Sequence, residues 1–339
     1  MVNCVITYNL SFTIYHLPFK IYHLKFKIHH FKNMHHLYTI AFLMMCSFFL
    51  KAQNSTPYTM FVFNKLQYNP AYAGSKDALT FGAHYRHQWQ GVLGAPRTIT
   101  AFAHTPIAEK RSGLGLSITA DEIGIFSTVL TNLAYSYRIP LKKETRLSFG
   151  LNAQFDHTRF DWSKADLVDQ IDNTIPFGEA GRSAVNFGLG LYYEGPRFYV
   201  GVSTPQLLRN AITSDVYSGF SQLNPLRTYY LMGGMVFPVG NNIHIKPAVL
   251  ISYVPNAPFE ADFNLSVLFL ESFWIGASYR LQESANIFVQ VPVTNNLKVA
   301  IGVDYALAEI NQFTKGSFEV MLEYGFSFKN EKIDNIRFF

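Results

Sequence analysis

Apolar and polar residues alternate strictly along most of this chain. Around 147–156, apolar side chains occupy every second position, and small or polar side chains lie between them. A period of two residues predicts a β-strand with one apolar face. The pattern recurs around 185–191, 297–305 and 318–328. We count about 14 such segments, most of them near the ~9 to 11 residues with which a tilted strand crosses a bilayer.

Alternation alone does not separate a membrane barrel from a soluble β-sandwich, so the connections between strands decide the matter. The short connections are 108–111, 141–144, 194–196, 240–242, 271–272 and 294–296. The longer ones, which alternate with them, are 90–96, 121–127, 161–182, 205–225, 255–258 and 307–316. Only 282–285 is shorter than its place in this series suggests. Short turns at one rim and long loops at the other are typical of outer-membrane barrels. We therefore predict an all-β transmembrane outer-membrane β-barrel of about 14 antiparallel strands.

The stretch 68–75, Tyr-Asn-Pro-Ala-Tyr-Ala-Gly-Ser, separates the first strand from a segment with a different pattern. Upstream of it, apolar residues between Met60 and Gln67 fall at mixed helical spacings. Pro70 disfavours helical geometry at Asn69 and has no backbone donor, so it ends that segment. We therefore predict a short N-terminal plug helix before the barrel. The predicted parts are a plug segment at 53–76, a barrel at 77–329 and a periplasmic C-terminal tail at 330–339.

The first 52 residues do not resemble the rest of the chain. Residues 1–33 contain bases and bulky side chains but no acid, and we interpret them as a spurious upstream extension. Met34 then begins a secretory signal peptide at 34–52, with an apolar run and a predicted cleavage between Ala52 and Gln53. A lipoprotein signal through Cys46 is disfavoured, because Met44 and Met45 precede it where small residues are expected.

Removing this leader changes the charge balance of the chain. Five of the 28 Lys and Arg residues, but none of the 23 Asp and Glu residues, precede Gln53. The predicted mature chain is therefore neutral, which argues against a nucleic-acid partner. Both cysteines, Cys4 and Cys46, also lie in the leader. An exported chain without cysteine depends on its strand ladders and its packing for stability.

A series of short motifs in the first hairpin resembles one known family. The motifs are Asn69-Pro70-Ala71-Tyr72-Ala73-Gly74, Tyr85-Arg86-x-Gln88-Trp89-x-Gly91, Gly94-Ala95-Pro96-Arg97-Thr98 and His104-x-Pro106. Together they resemble the type IX secretion system membrane proteins of the PorP/SprF family from the outer membrane of Bacteroidetes. The resemblance implies a closed barrel with a periplasmic N-terminal segment. It also implies that the protein works with the secretion and gliding machinery to export or retain surface proteins.

The candidate site residues all belong to these motifs. They are Asn69, Pro70, Tyr72, Gly74, Arg86, Gln88, Trp89, Gly94, Pro96, Arg97 and His104. The group at Arg86, Gln88, Trp89 and Arg97 is compatible with a recognition cluster under the 94–96 loop. The structural interpretation is favoured, because buried polar groups in a barrel need hydrogen-bond partners. We expect Arg86 and Gln88 to donate to plug carbonyls, and Trp89 to lie in an interfacial aromatic belt. A lone lumen histidine such as His104 is more often a hydrogen-bonding strut than a catalyst.

No motif in the chain predicts a catalytic residue, a metal ligand or a cofactor. The acids of the 161–172 loop do not match the spacing of a calcium loop, so we expect a solvated acidic loop there. Two functions then remain open. The first is a non-enzymatic outer-membrane component of type IX secretion, with a secreted surface protein, periplasmic machinery and outer-membrane lipids as partners. The alternative is a plugged channel for a hydrophobic or small solute. A lumen face of Gly, Ser, Asn and Gln favours the first.

Overall fold

The computed structural model describes residues 58–76, 78–107, 110–142, 144–164, 179–208, 212–215, 227–240, 242–255, 257–270 and 272–326. All of them belong to one compact unit that spans 53–339. The predicted upstream extension, the signal peptide and the C-terminal tail lie outside the described residues, so their assignments stay predictions. No helix in the described ranges is both long and apolar enough to span a membrane.

Within the described ranges, sixteen strands form one antiparallel sheet. In chain order the first eight are β1 Leu79–His87, β2 Arg97–Ile107, β3 Ser112–Ile123, β4 Phe126–Pro140, β5 Arg146–Asp161, β6 Glu179–Gly195, β7 Phe198–Thr204 and β8 Ile212–Asp215. The remaining eight are β9 Tyr229–Met235, β10 Phe237–Val239, β11 Ile243–Tyr253, β12 Glu260–Phe269, β13 Phe273–Arg280, β14 Ser284–Pro292, β15 Leu297–Ala306 and β16 Ser317–Phe326.

The sheet closes on itself as a barrel. Most strands pair with their neighbours in sequence, and closure comes from the pairing of β16 with β1. β9 and β10 pair with β11 in one register on either side of Pro247, whose missing backbone donor interrupts the ladder. β7 and β8 both pair with β6. If β7 and β8 are counted as one strand of the wall, and β9 and β10 as another, the barrel has 14 strands, which confirms the prediction.

The two faces of the wall carry the alternation predicted from the sequence. On β5, Phe149 and Leu151 are exposed on the outer face, whereas Ser148, Asn152 and Gln154 are buried toward the lumen. Apolar side chains cover the outside of the barrel in the same way on the other strands. This apolar band is the surface that an outer-membrane barrel presents to lipid.

The connections divide between two rims. One rim, called here the short-turn rim, carries the connections 108–111, 141–145, 196–197, 240–242, 270–272 and 293–296. The other, the long-loop rim, carries 88–96, 124–125, 162–178, 205–228 with β8, 254–259, 281–283 and 307–316. The expected longer connection at 121–127 is wrong, because β3 and β4 continue until only two residues separate them. Gly124, with φ of +57°, allows that tight turn.

The plug segment lies in the lumen, but the predicted plug helix is wrong. Within 58–76 the structure has two three-residue 3₁₀ turns, Lys65–Gln67 and Pro70–Tyr72. Every residue of this segment except Gln67 is buried. Wall side chains supply hydrogen bonds that a helix would otherwise make internally. For example, the backbone N–H of Thr59 donates to Glu319 Oε1 at 2.6 Å.

Candidate functional site

The interface between plug and lumen wall brings together most of the candidate site residues. Asn69 begins the second 3₁₀ turn, and its Oδ1 accepts from the backbone N–H of Ala71 at 2.9 Å. Pro70 follows as the first residue of the turn, where its missing donor costs nothing. The Asn69 amide nitrogen donates to the carbonyl of Leu191 on β6 at 2.9 Å. One asparagine thus shapes the turn and attaches it to the wall.

Glycines in the wall make room for this turn. A Cβ atom added at Gly150 would lie within 3 Å of the plug backbone at Ala71. At Gly113 it would lie within 3 Å of the Ala73 carbonyl, and at Gly190 within 3 Å of the Asn69 side chain. The wall glycines therefore allow the plug backbone to approach more closely than any other residue type would.

The end of the motif packs against His104 on β2. Gly74 has φ of +68°, a conformation that favours glycine, and its N–H donates to His104 Nδ1 at 3.2 Å. The Tyr72 ring lies between His104 and Tyr192, with both ring centroids 5.5 Å away in edge-to-face geometry. His104 is 2% exposed. Its place in the structure is that of a hydrogen-bonding strut.

Plug carbonyls also find donors in the wall. The Ala73 carbonyl accepts from Ser136 Oγ at 2.7 Å and from Arg138 Nη2 at 3.0 Å, both on β4. The Tyr68 carbonyl accepts from Ser203 Oγ on β7 at 2.7 Å. Buried backbone groups outside regular structure need such partners, and here the barrel provides them.

A buried charged cluster anchors the N-terminal part of the plug. Arg86 on β1 forms ion pairs with Asp304 on β15, at 2.7 Å through Nη2, and with Glu319 on β16 through Nη1. Its Nη1 also donates to Thr59 Oγ1 at 2.9 Å. His84 Nε2 lies 3.1 Å from Glu319 Oε2. The partners of Arg86 are thus carboxylates and a plug hydroxyl, instead of the expected plug carbonyls, and one guanidinium joins three strands and the plug.

Three lysines, two in the plug and one in the wall, make further buried contacts. Lys76, at the end of the plug, forms an ion pair with Glu323 on β16 at 2.5 Å. Lys65 Nζ donates to the Val62 carbonyl at 3.1 Å and lies 4.7 Å from the centroid of the Tyr199 ring. On β11, Lys246 Nζ lies 5.5 Å from the ring centroid of the plug residue Phe63 and 4.3 Å from that of Trp274 on β13. Contacts of a cation with an aromatic face stabilise such buried charges.

The other candidate residues lie apart from the plug, in the connection between β1 and β2 at the long-loop rim. The N–H of Gln88 donates to the Pro96 carbonyl at 3.0 Å, and the N–H of Trp89 donates to Ser317 Oγ at 3.2 Å. The Gly94 carbonyl accepts from Gly124 N at 2.9 Å, and Arg97 is exposed on the rim. The first hairpin therefore contributes to two places: Arg86 and His104 hold the plug, and the loop lies against its neighbours at the rim.

Several plug contacts were missed from the sequence, including Thr59, Ser136, Asp304 and Glu319. The signal for the wall residues was present, because all three lie on the polar face of an alternating strand. Alternation does not show which inward residues meet the plug, since that depends on the barrel's circumference. Among the described residues, no group of three or more His, Cys, Asp or Glu is placed to hold a metal ion.

These observations define the class as a closed outer-membrane β-barrel whose lumen holds its own N-terminal segment. The chain belongs to the family of type IX secretion system membrane proteins PorP/SprF, whose model matches residues 50–324. It is accordingly an outer-membrane protein and a component of type IX secretion. Membership implies partners within that machinery. No curated protein matches the chain.

Solved outer-membrane proteins show a distant likeness. Omp33 of Acinetobacter baumannii is 11% identical over 74% of this chain and 98% of its own, with a TM-score of 0.45. The toluene transporter TbuX of Ralstonia pickettii is 10% identical over 78% and 93%, with a TM-score of 0.47. The monoaromatic hydrocarbon channel CymD is 13% identical over 80% and 94%, with a TM-score of 0.49. None of these likenesses bears on the function of the present chain.

Proposed function

We propose that the protein is a non-enzymatic scaffold of the type IX secretion and gliding machinery that holds a secreted protein at the cell surface. The observation that carries this proposal is the plug, which is buried in the lumen and bonded to the wall through Arg86, Ser136 and His104. A barrel filled in this way offers a rigid frame with loops at one rim. Binding sites are commonly placed on loops that a rigid scaffold positions.

The scaffold is favoured over the channel on physical grounds. Conduction would require the plug to leave, which would break its hydrogen bonds to the wall and the buried ion pair between Lys76 of the plug and Glu323 on β16. A conducting pore is also expected to present rings of charge along an open path. The charges near the plug instead pair between nearby strands, as Arg86 does with Asp304 and Glu319, or with the plug itself, as Glu323 does with Lys76.

We further propose that the long-loop rim faces the cell exterior and the short-turn rim faces the periplasm, as in other outer-membrane barrels. The outside partner is then a secreted surface protein, such as an adhesin, that carries a type IX C-terminal signal. The partner inside is a periplasmic component of the machinery, and outer-membrane lipids surround the apolar band. No feature of the chain favours nucleic acid.

Deleting the coding region tests the function. We expect one or a few large surface proteins to disappear from the cell face, into the medium or through a block in export, while uptake of small solutes stays unchanged. Complementation with the wild-type chain should restore the surface proteins. Complementation with Trp89→Ala or Arg97→Ala should restore them only partly if the first hairpin contacts the client. Unchanged surface proteins together with a lost solute uptake would instead identify a channel.

Cysteine labelling of intact cells tests the orientation separately. Leu93 lies fully exposed at the long-loop rim, and Leu141 is exposed at the short-turn rim. The predicted mature chain contains no cysteine that would interfere. We expect a membrane-impermeant maleimide to label Leu93→Cys in intact cells and Leu141→Cys only after the outer membrane is opened. The reverse pattern would show that the barrel is inverted.

A further inference from the structure

A polar cavity of about 360 Å³ lies between the plug and the long-loop rim. Plug residues Tyr58, Gln67 and Tyr68 form its floor, and side chains of β3, β4, β5 and β6 form much of its wall. The volume is at the lower end of the roughly 300–1,000 Å³ of typical small-molecule pockets. The plug closes the lumen beneath it. A ligand that enters this cavity is therefore held at a closed end and does not pass through.

The wall of the cavity is built mainly from groups that both donate and accept hydrogen bonds. Hydroxyl groups come from Thr119, Thr128 and Thr158, and amide groups come from Asn132 and Gln154. The charged members are Asp121, Asp156 and Arg182. Two carboxylates beside one guanidinium disfavour an anion, and the polar lining disfavours an apolar solute.

Two amides at this cavity lack part of their hydrogen bonding. Gln154 is 3% exposed, and its Nε2 makes no hydrogen bond within the described residues. Gln67 Oε1, at the floor, is likewise buried without a partner there. A buried polar group left without a partner is costly, and native proteins usually satisfy such groups. Both amides line the same cavity, so a ligand with hydroxyl groups would satisfy both.

We propose that this cavity binds a neutral saccharide of one or two rings. The amides, threonines and carboxylates match sugar hydroxyl groups, which both donate and accept. Three tyrosines at the cavity, Tyr58, Tyr68 and Tyr230, supply apolar ring surface for the C–H groups of a sugar. A peptide fits less well, because strands β3 to β5 are each paired on both sides and leave few backbone groups for an entering chain. The inference goes beyond the proposed scaffold function and does not depend on it.

Isothermal titration calorimetry on the purified mature protein tests the proposal. The detergent should be lauryldimethylamine oxide, because maltoside detergents carry a disaccharide head group that would compete. The probes are methyl glycosides of glucose, galactose, mannose, rhamnose and N-acetylglucosamine, together with maltose and lactose. Sodium phosphate and a capped Ser-Thr-Asn-Gly peptide serve as comparisons. We expect at least one saccharide to bind with a millimolar or lower Kd, and the comparisons not to bind.

Matched variants connect that binding to the cavity. Gln154→Leu should weaken it about 5- to 10-fold, as expected for one buried hydrogen bond. Gln290→Leu removes an equally buried lumen glutamine outside the cavity lining and should leave binding unchanged. If Gln154→Leu does not fold, Asp156→Asn serves as the second variant, because it is a milder change in the same wall of the cavity. Folding of every variant is checked by heat-modifiable mobility on gels.

A glycan array separates the sources of the sugar. Binding to sugars fixed through their reducing ends would show that a terminal residue on a carrier is recognised, whereas binding only in solution would indicate a free saccharide. Either result supports the site. Absence of saccharide binding, binding of the peptide or of phosphate instead, or equal binding by both glutamine variants would overturn the proposal.

Discussion

At the plug end of the lumen the wall side chains contact the plug, whereas toward the long-loop rim they surround a cavity. Both regions are lined by the same residue types, placed by the same alternation. Ser136 belongs to the first region and donates to the Ala73 carbonyl of the plug, while Gln154 lines the second. The two regions differ in what these side chains face, which is the plug in the first and an open cavity in the second. A polar residue that points into this barrel therefore has a structural role where the plug reaches it. Where the plug does not reach it, the same kind of residue is available to bind a ligand.

The charged anchor of the plug should give the largest effect. Arg86→Ala leaves Asp304 and Glu319 buried without their guanidinium, so we expect the free energy of unfolding to fall by about 3–5 kcal/mol. Urea unfolding of the refolded barrel, followed by tryptophan fluorescence, measures it. Arg97→Ala, an exposed arginine on the same hairpin, is the matched control and should change stability by less than about 0.5 kcal/mol. Equal losses in both variants would mean that the buried cluster does not hold the plug.

The close approach of plug and wall should give the next largest effect. Gly150→Ala places a methyl group against the plug backbone at Ala71, which cannot move aside like a flexible side chain. We expect a loss of about 1–3 kcal/mol, as for other overpacked positions. Gly181→Ala, on β6 near the long-loop rim, meets its nearest neighbour at an ordinary 3.5 Å and should be neutral or slightly stabilising. If Gly150→Ala were as stable as wild type, the plug would not lie against β5 as described.

The comparison also marks what the sequence could predict. Alternation such as that around Phe149 and Leu151 predicted the strand number and the two faces, whereas the outer-membrane class also needed the pattern of short and long connections. The helix predicted between Met60 and Gln67 was wrong, because local spacing does not register that wall groups such as Glu319 replace internal hydrogen bonds. Likewise, the motif around Asn69 identified the plug segment, yet its wall partners are separated from it by long stretches of chain. The contact between the motif and these wall residues depends on closure of the whole barrel, and a local sequence pattern does not show how the barrel closes.

A single hydroxyl at the filled end should give a smaller effect. Ser136→Ala removes the 2.7 Å hydrogen bond to the Ala73 carbonyl, although Arg138 still donates to the same atom. We expect a loss of about 0.5–1.5 kcal/mol, the usual net value of one hydrogen bond. The same urea titration measures it. A loss above about 3 kcal/mol would indicate that Ser136 supports the Arg138 contact as well as its own.

The smallest effect on stability is expected at the cavity, and it separates the two ends most directly. Gln154 is as buried as Ser136, but its Nε2 has no partner among the described residues. Replacing it with leucine, which has a similar volume, removes a polar group that burial penalises and breaks no hydrogen bond from that nitrogen. We therefore expect Gln154→Leu to change the free energy of unfolding by less than about 0.5 kcal/mol, or to raise it slightly. The urea titration used for Ser136→Ala makes the comparison within one experiment. A loss at Gln154 equal to that at Ser136 would mean that both ends are held by internal contacts, and that the amides at the cavity are not available to a ligand.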